Sequence, residues 1–79
     1  MRIDKYLKVS RLIKRRTVAK EACEQGRVFL NGREAKSGSE VKIGDIISLK
    51  LGEGELRVEV LSLEENVKKE DAINIYKKL

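Results

Sequence analysis

Ile3, Tyr6, Leu7 and Ile13 recur at spacings of three and four, with the small Ser10 in step. That pattern predicts an amphipathic helix from about Ile3 to Ile13. Lys5, Lys8 and Arg11, three apart each time, fall on its opposite face, and Asp4 lies in the first turn, within reach of Lys8. Residues 14–16 are Lys-Arg-Arg, and Thr17 after them is a candidate N-cap. Position 20, where a capping box would carry Glu or Gln, is Lys20. A second helix is predicted from about Val18 to Gln25, closed by Gly26 in the left-handed C′ conformation. Its Ala19, Ala22 and Cys23 are small enough to let it lie close against a neighbour.

Beyond Gly26 the period shortens from helical to two. Val28 and Leu30 alternate with Arg27 and Phe29, and Asn31-Gly32 is a two-residue hairpin signal. A polar turn over Lys36 to Glu40 leads to Val41, Ile43 and a tight Gly44-Asp45 turn. IISLKL, residues 46–51, reads as a buried strand, and Gly52-Glu53-Gly54 turns the chain into ELRVEVL. There Leu56, Val58 and Val60 face inward while Arg57 and Glu59 face out. Over about Lys68 to Lys78, Ala72, Ile75, Tyr76 and Leu79 return to helical spacing. The order helix, helix, short strands, helix predicts an α+β domain around a small antiparallel sheet, with residues 1–79 forming one domain.

Composition excludes more than it proposes. The chain of 79 residues has no histidine and one cysteine, so neither a His-activated nucleophile nor a soft metal-ligand set can be assembled. Its six glycines form no P-loop or dinucleotide-binding pattern, and its carboxylates are scattered among lysines and arginines. The expectation is no catalysis, no cofactor and no metal. No apolar run approaches the roughly 18 residues of a membrane span. The opening MRIDKYLK has no signal-peptide core, and lone Cys23 reads as a small buried hydrophobe, so a cytoplasmic protein is expected.

Charge changes the picture. The formal net charge is +5. Eight of the eighteen Lys and Arg but one of the thirteen Asp and Glu lie in residues 1–20, a net of +7. The remainder carries ten against twelve, a net of −2. Such asymmetry is the footprint of an anionic partner, phosphate above all, although a merely solvated basic face remains an alternative. A winged helix-turn-helix reading duplex DNA is disfavoured, because the second helix is short and carries Glu21 and Glu24 where phosphate repulsion would act. With aromatic residues at 4%, a stacking platform for single strands is poorly supported. A surface following the backbone of folded RNA fits better.

The residues carry a specific resemblance. Arg2-Ile3-Asp4-Lys5-Tyr6-Leu7, Arg16-Thr17-Val18-Ala19, Gly26-Arg27-Val28 with Asn31-Gly32, and Val41-Lys42-Ile43-Gly44-Asp45 resemble the RNA-binding domain named after small-subunit ribosomal protein S-four. The SRLIKRRT junction, the length and the closing KKEDAINIY are similar to the small stand-alone ribosome-quality-control factors of bacteria. The resemblance implies the S-four-like (alpha-L) fold, with two N-terminal helices, a small antiparallel sheet and a C-terminal helix. It also implies binding to large ribosomal subunits that hold peptidyl-tRNA, with contacts to tRNA and ribosomal RNA. The implied role is support of the partner RqcH as it adds a C-terminal alanine tail to stalled chains, acting as a monomer. Two alternatives stand beside it. One is a heat-shock-type rescue factor working without tailing, whose longer basic tail this chain lacks; the other is the RNA-binding subunit of an RNA-modifying enzyme.

Carried over by motif, Arg2 and Arg16 are the first candidates for RNA contact, both near helix N-termini where donors converge on anions. Lys5, Lys8, Arg11, Lys14, Arg15 and Lys20 would supply the surrounding field, with Thr17 beside them. Asp4 is read as an orienting partner for a nearby arginine. Arg27, Phe29 and Asn31 are secondary candidates. Asn31 is first a turn residue, and Phe29 either packs on the terminal helix through Ile75 or Tyr76 or stacks on a base. Arg16, taken as exposed, should be removable at a stability change within about 0.5 kcal/mol.

Overall fold

The computed structural model describes residues 1–65 and 67–79. The first helix, α1, spans Ile3–Val9, and the second, α2, spans Arg16–Glu24. α1 is shorter than its apolar spacing predicts because Ser10 intervenes. Ser10 is buried; its Oγ donates to the Leu7 carbonyl at 3.1 Å and accepts from the Leu12 amide at 3.4 Å. A serine offering the backbone such alternatives stops a helix from propagating. Arg11 then takes φ +63°, a left-handed conformation that costs a non-glycine residue about 1–2 kcal/mol, and the chain reverses. Ile3, Tyr6 and Leu7 are fully buried, as their spacing requires.

α2 begins two residues earlier than expected. Arg15, extended at φ −124°, is the cap residue, and no side chain caps the helix. Thr17 therefore lies inside the first turn and is not the N-cap. Ala19 and Cys23 are buried toward α1, where small side chains allow close approach. Burial pushes the Cys23 thiol up, with the nearby Asp4 and Glu24 carboxylates adding to the shift. The exit is as predicted: Gly26 has φ +71°, its amide donates to Cys23 O, and the Arg27 amide reaches Ala22 O at 3.0 Å. Those two bonds make a Schellman closure.

The sheet contains β1 (Val28–Leu30), β2 (Arg33–Glu34), β3 (Ile46–Leu51), β4 (Gly54–Val60) and β5 (Tyr76–Lys78), in the order β2-β1-β3-β4-β5. All pairs are antiparallel. Asn31 and Gly32, at φ +52° and +83°, form the two-residue hairpin turn between β1 and β2, where both central residues need positive φ. Val28, Ile47, Leu49, Val58 and Val60 are buried on one sheet face and share a core with the two helices. On β3, Lys50 and Leu51 run out into solvent.

The C-terminal segment departs from expectation. Lys69–Ile75 is a 3-10 helix, and Tyr76–Lys78 is a strand against β4, with Val60 opposite Tyr76. Ala72 and Ile75 are buried, but Leu79 is 56% exposed, so the apolar spacing does not mark one continuous helical face. β4 has an edge that β5 covers, and satisfying its backbone groups outweighs helical continuation. The Ile75 carbonyl accepts from the amides of Leu61 and Ser62 and from the Tyr6 hydroxyl at 2.7 Å, which ties α1 to the C-terminal segment.

That hydroxyl predicts an alkaline limb. Burial, with Tyr76 adding, raises the Tyr6 phenol far above its ordinary value. A raised folded pKa leaves its stability contribution intact below the unfolded value, about 10, and removes it as pH rises beyond. Unfolding is expected to set in above about pH 10, with Tyr6 ionising only as structure is lost. Tyr6→Phe should cost about 1 kcal/mol at neutral pH and flatten that limb. Parallel circular dichroism and tyrosinate absorbance titrations check both.

Candidate nucleic-acid interface

One carboxylate organises the basic end of the molecule. Asp4 is 3% exposed. Its Oδ1 accepts from the Lys5 amide at 2.8 Å and from Arg16 Nη2 at 3.4 Å, and its Oδ2 accepts from Arg2 Nη2 at 3.4 Å. The arginine side chains remain 50% and 46% exposed. Two guanidiniums on one carboxylate leave a local surplus of one positive charge. Each fork carries five N–H donors and keeps several free for a phosphate oxygen. Asp4 thus aligns the start of α1 with the start of α2, twelve residues apart. The i+4 pairing with Lys8 is not made among the described residues.

The two helix starts differ. The Ile3 amide donates to Ser39 O at 2.8 Å, the Asp4 amide to Ser37 O at 3.3 Å, and the Lys5 amide to Asp4 itself. The turn at residues 36–40 therefore caps α1, and the Arg2 guanidinium lies against Gly38. The expected convergence of free amides at α1 is absent, and attraction for an anion there rests on the Arg2 side chain. α2 keeps its N-terminal amides clear: no side chain caps it, its first turn has no acidic residue, and no loop carbonyl meets its first amides among the described residues. An uncapped helix N-terminus with Arg15, Arg16 and Thr17 exposed on it is suited to an anion.

Of the remaining candidates, Lys8, Arg11, Lys14, Arg15 and Lys20 are exposed. Lys20 follows Arg16 by one helical turn, on the same flank of α2. Lys5 is half-buried and its Nζ pairs with Glu65 Oε1 at 2.9 Å, a partner sixty residues away that local spacing cannot reveal. That pairing lowers the Glu65 carboxyl. Arg11 sits beyond the end of α1, so the predicted Lys5-Lys8-Arg11 stripe is not one helical face. Gly38 and Glu65, both in contact with candidate cations, carry no sequence signal of their own.

The secondary candidates lie elsewhere. Asn31 turns its side chain onto the adjoining turn that leads into β3: Nδ2 donates to Asp45 Oδ1 at 3.1 Å and Oδ1 accepts from the Ile46 amide at 2.9 Å. Asn31→Ala should destabilise the fold by about 1–3 kcal/mol and leave RNA affinity of the folded fraction unchanged, measurable by chemical denaturation and filter binding. Phe29 is on the outer face of β1, opposite Ser48 of β3, with Lys50 Nζ 4.8 Å from its ring centroid. The expected packing on Ile75 or Tyr76 does not occur, since β3 and β4 separate β1 from β5. Arg27 follows the Schellman closure, away from the Asp4 centre. Among the described residues no cluster of three His, Cys, Asp or Glu could hold a metal ion, and no helix is long and apolar enough to cross a membrane.

Comparisons with known proteins place the chain in a family. Residues 1–47 match the S4 domain family, a span that contains Arg2, Asp4 and Arg16. A Halalkalibacterium halodurans protein named RQC P-site tRNA stabilizing factor is 54% identical over 96% of this chain and 86% of its own. Its Bacillus subtilis namesake is 53% identical over 96% and 88%. A trimeric solved structure of Vibrio cholerae Heat Shock Protein 15 superimposes with a TM-score of 0.91 at 30% identity, over 100% of this chain and 81% of that one. With the motifs, the helix pair and the strand order all in place, this chain belongs to the S4 domain family and, within it, to the group of the RQC P-site tRNA stabilizing factors.

Proposed function

We propose that this protein is a non-catalytic RNA-binding factor of ribosome-associated quality control. It would hold peptidyl-tRNA on a large ribosomal subunit through the surface formed by Arg2, Arg16 and the start of α2. The observation that carries this reading is the buried Asp4 carboxylate, which presents two half-exposed arginines side by side. Lys8, Arg11, Lys14, Arg15 and Lys20 surround them with further charge. Relatives named for stabilising P-site tRNA, alike over nearly the whole chain, support the choice of partner. Contacts to ribosomal RNA, support of RqcH-dependent alanine tailing, action as a cytoplasmic monomer and use of residues 1–79 as one unit complete the proposal.

The test is co-sedimentation with purified large subunits, tRNA-loaded and bare, across a salt series. Preference for loaded subunits is expected, with log affinity falling against log salt by about 0.7–0.9 per phosphate contact. Equal binding to bare subunits, or indifference to salt, would refute the reading. The likeness to Heat Shock Protein 15 favours rescue without tailing as the second reading. Deleting the gene separates them: stalled chains lose alanine tails only under the first.

A further inference from the structure

The flank of α2 opposite Arg16 and Lys20 is apolar. Val18 and Ala22 on that flank, with Ile13 from the junction between the helices, face Leu49 and Leu51 of β3 across an open cleft of about 140 Å³. Val18 is 45% and Leu51 58% exposed. A lone exposed aliphatic residue is ordinary, but these border one hydrocarbon-walled hollow. Its volume approaches the roughly 150 Å³ of an apolar cavity that takes a benzene, room for one aliphatic or aromatic side chain. Arg27 stands exposed at the rim and is in no ion pair among the described residues. No carboxylate lines the cleft; Lys50 also borders it, but its ammonium lies over the Phe29 ring on the outer sheet face.

We infer that this cleft docks an acidic peptide segment of a protein partner, inserting one apolar side chain between Val18 and Leu51 while a neighbouring carboxylate meets Arg27. Hydrocarbon walls offer a phosphate no donors and would strip its water uncompensated, so a polynucleotide is the poorer occupant. The basic flank of α2 stays free, and one short helix serves RNA on one side and protein on the other. The inference does not depend on the proposed role in quality control.

The probe is the peptide acetyl-Glu-Asp-Leu-Asp-Glu-amide, titrated into isotope-labelled full-length protein and followed by amide chemical shifts. Saturable shifts at Val18, Ala22, Leu49 and Leu51 are expected, lost when the peptide's leucine is replaced by serine. Val18→Asp should weaken binding at least about tenfold, because it buries a carboxylate against hydrocarbon. Arg27→Glu should weaken it about threefold or more and increase the salt sensitivity of what remains. Should Val18→Asp disturb the spectrum away from the cleft, Leu51→Asp makes the same test from the other wall. Absence of saturable shifts, equal shifts with an oligouridine, or cleft shifts that follow protein concentration alone would each overturn the proposal.

Discussion

The double variant Arg2→Ala/Arg16→Ala is expected to lose about a hundredfold or more in affinity for tRNA-loaded large subunits. Hydrogen bonds to charged groups contribute about 1.5–3 kcal/mol each, and every 1.4 kcal/mol is tenfold. If each arginine neutralises one phosphate, the salt slope should shrink by about 1.4–1.8 in all. Stability also falls, which the exposure of these side chains alone does not suggest. Both are anchored on a carboxylate buried to 3%, and removing them leaves Asp4 with only the Lys5 amide. Breaking a fully buried pair costs about 3–5 kcal/mol. Half-exposed arginines are partly screened, so about 1–2 kcal/mol is the reasonable expectation for the double variant. Single Arg16→Ala, with Arg2 still in place, should cost about 1 kcal/mol, above the 0.5 kcal/mol expected for a free surface side chain. Arg2→Lys/Arg16→Lys separates charge from shape: it should keep the salt slope and lose affinity, because lysine lacks the fork. Binding isotherms over a salt series, with denaturant melts of each variant, distinguish these outcomes. An unchanged slope in the double alanine variant would mean that neither arginine touches phosphate.

Asp4→Asn should lower RNA affinity about three- to tenfold even though it raises the formal net charge from +5 to +6. Simple electrostatics predicts the opposite sign, since removing an acidic group from a cationic surface strengthens attraction for phosphate. The loss follows if Asp4 acts by position. Without its charge, Arg2 and Arg16 regain rotamer freedom, and ordering each again on binding costs about 0.5–1.5 kcal/mol. The number of phosphate contacts is unchanged, so the salt slope should stay the same. Folding stability should fall by about 1–3 kcal/mol as charge-assisted bonds to a buried group are lost. Tighter binding by Asp4→Asn would show that Asp4 is only a local counter-charge, and the aligned pair of arginines would lose its physical basis.

Much of the local structure was legible in the residues. Asn31-Gly32 required a turn with two positive φ values, and it has them. Gly26 after an apolar-polar run required a left-handed closure, and the bonds from Gly26 and Arg27 back to Cys23 and Ala22 complete it. Alternation in β4 gave the correct inward set because the period of two leaves only one choice of face. The misreadings lie where a local pattern had two solutions. Apolar spacing at Ala72, Ile75 and Tyr76 suits a helix or a 3-10 turn followed by a strand, and only the open edge of β4 selects the second. Ile13 kept helical spacing with α1, but Ser10 bonded the backbone in competition. Thr17 was a chemically sound cap, yet Arg15 took the extended position before it.

The amino-acid sequence by itself determined which segment is cationic, which turns the chain can make and which side chains must be hidden, because these depend on composition and on neighbours a few residues away. Only the tertiary structure decided what the cations do. Asp4 meets Arg16 across twelve positions, Lys5 meets Glu65 across sixty, and Ser37 and Ser39 take the amides at the start of α1. Such partners are chosen when the sheet order brings distant segments together, and ion pairs and hydrogen bonds act over only a few ångströms. A pattern in one dimension therefore shows where the charge is, while the fold decides which of it is already spent on the protein and which still faces outward.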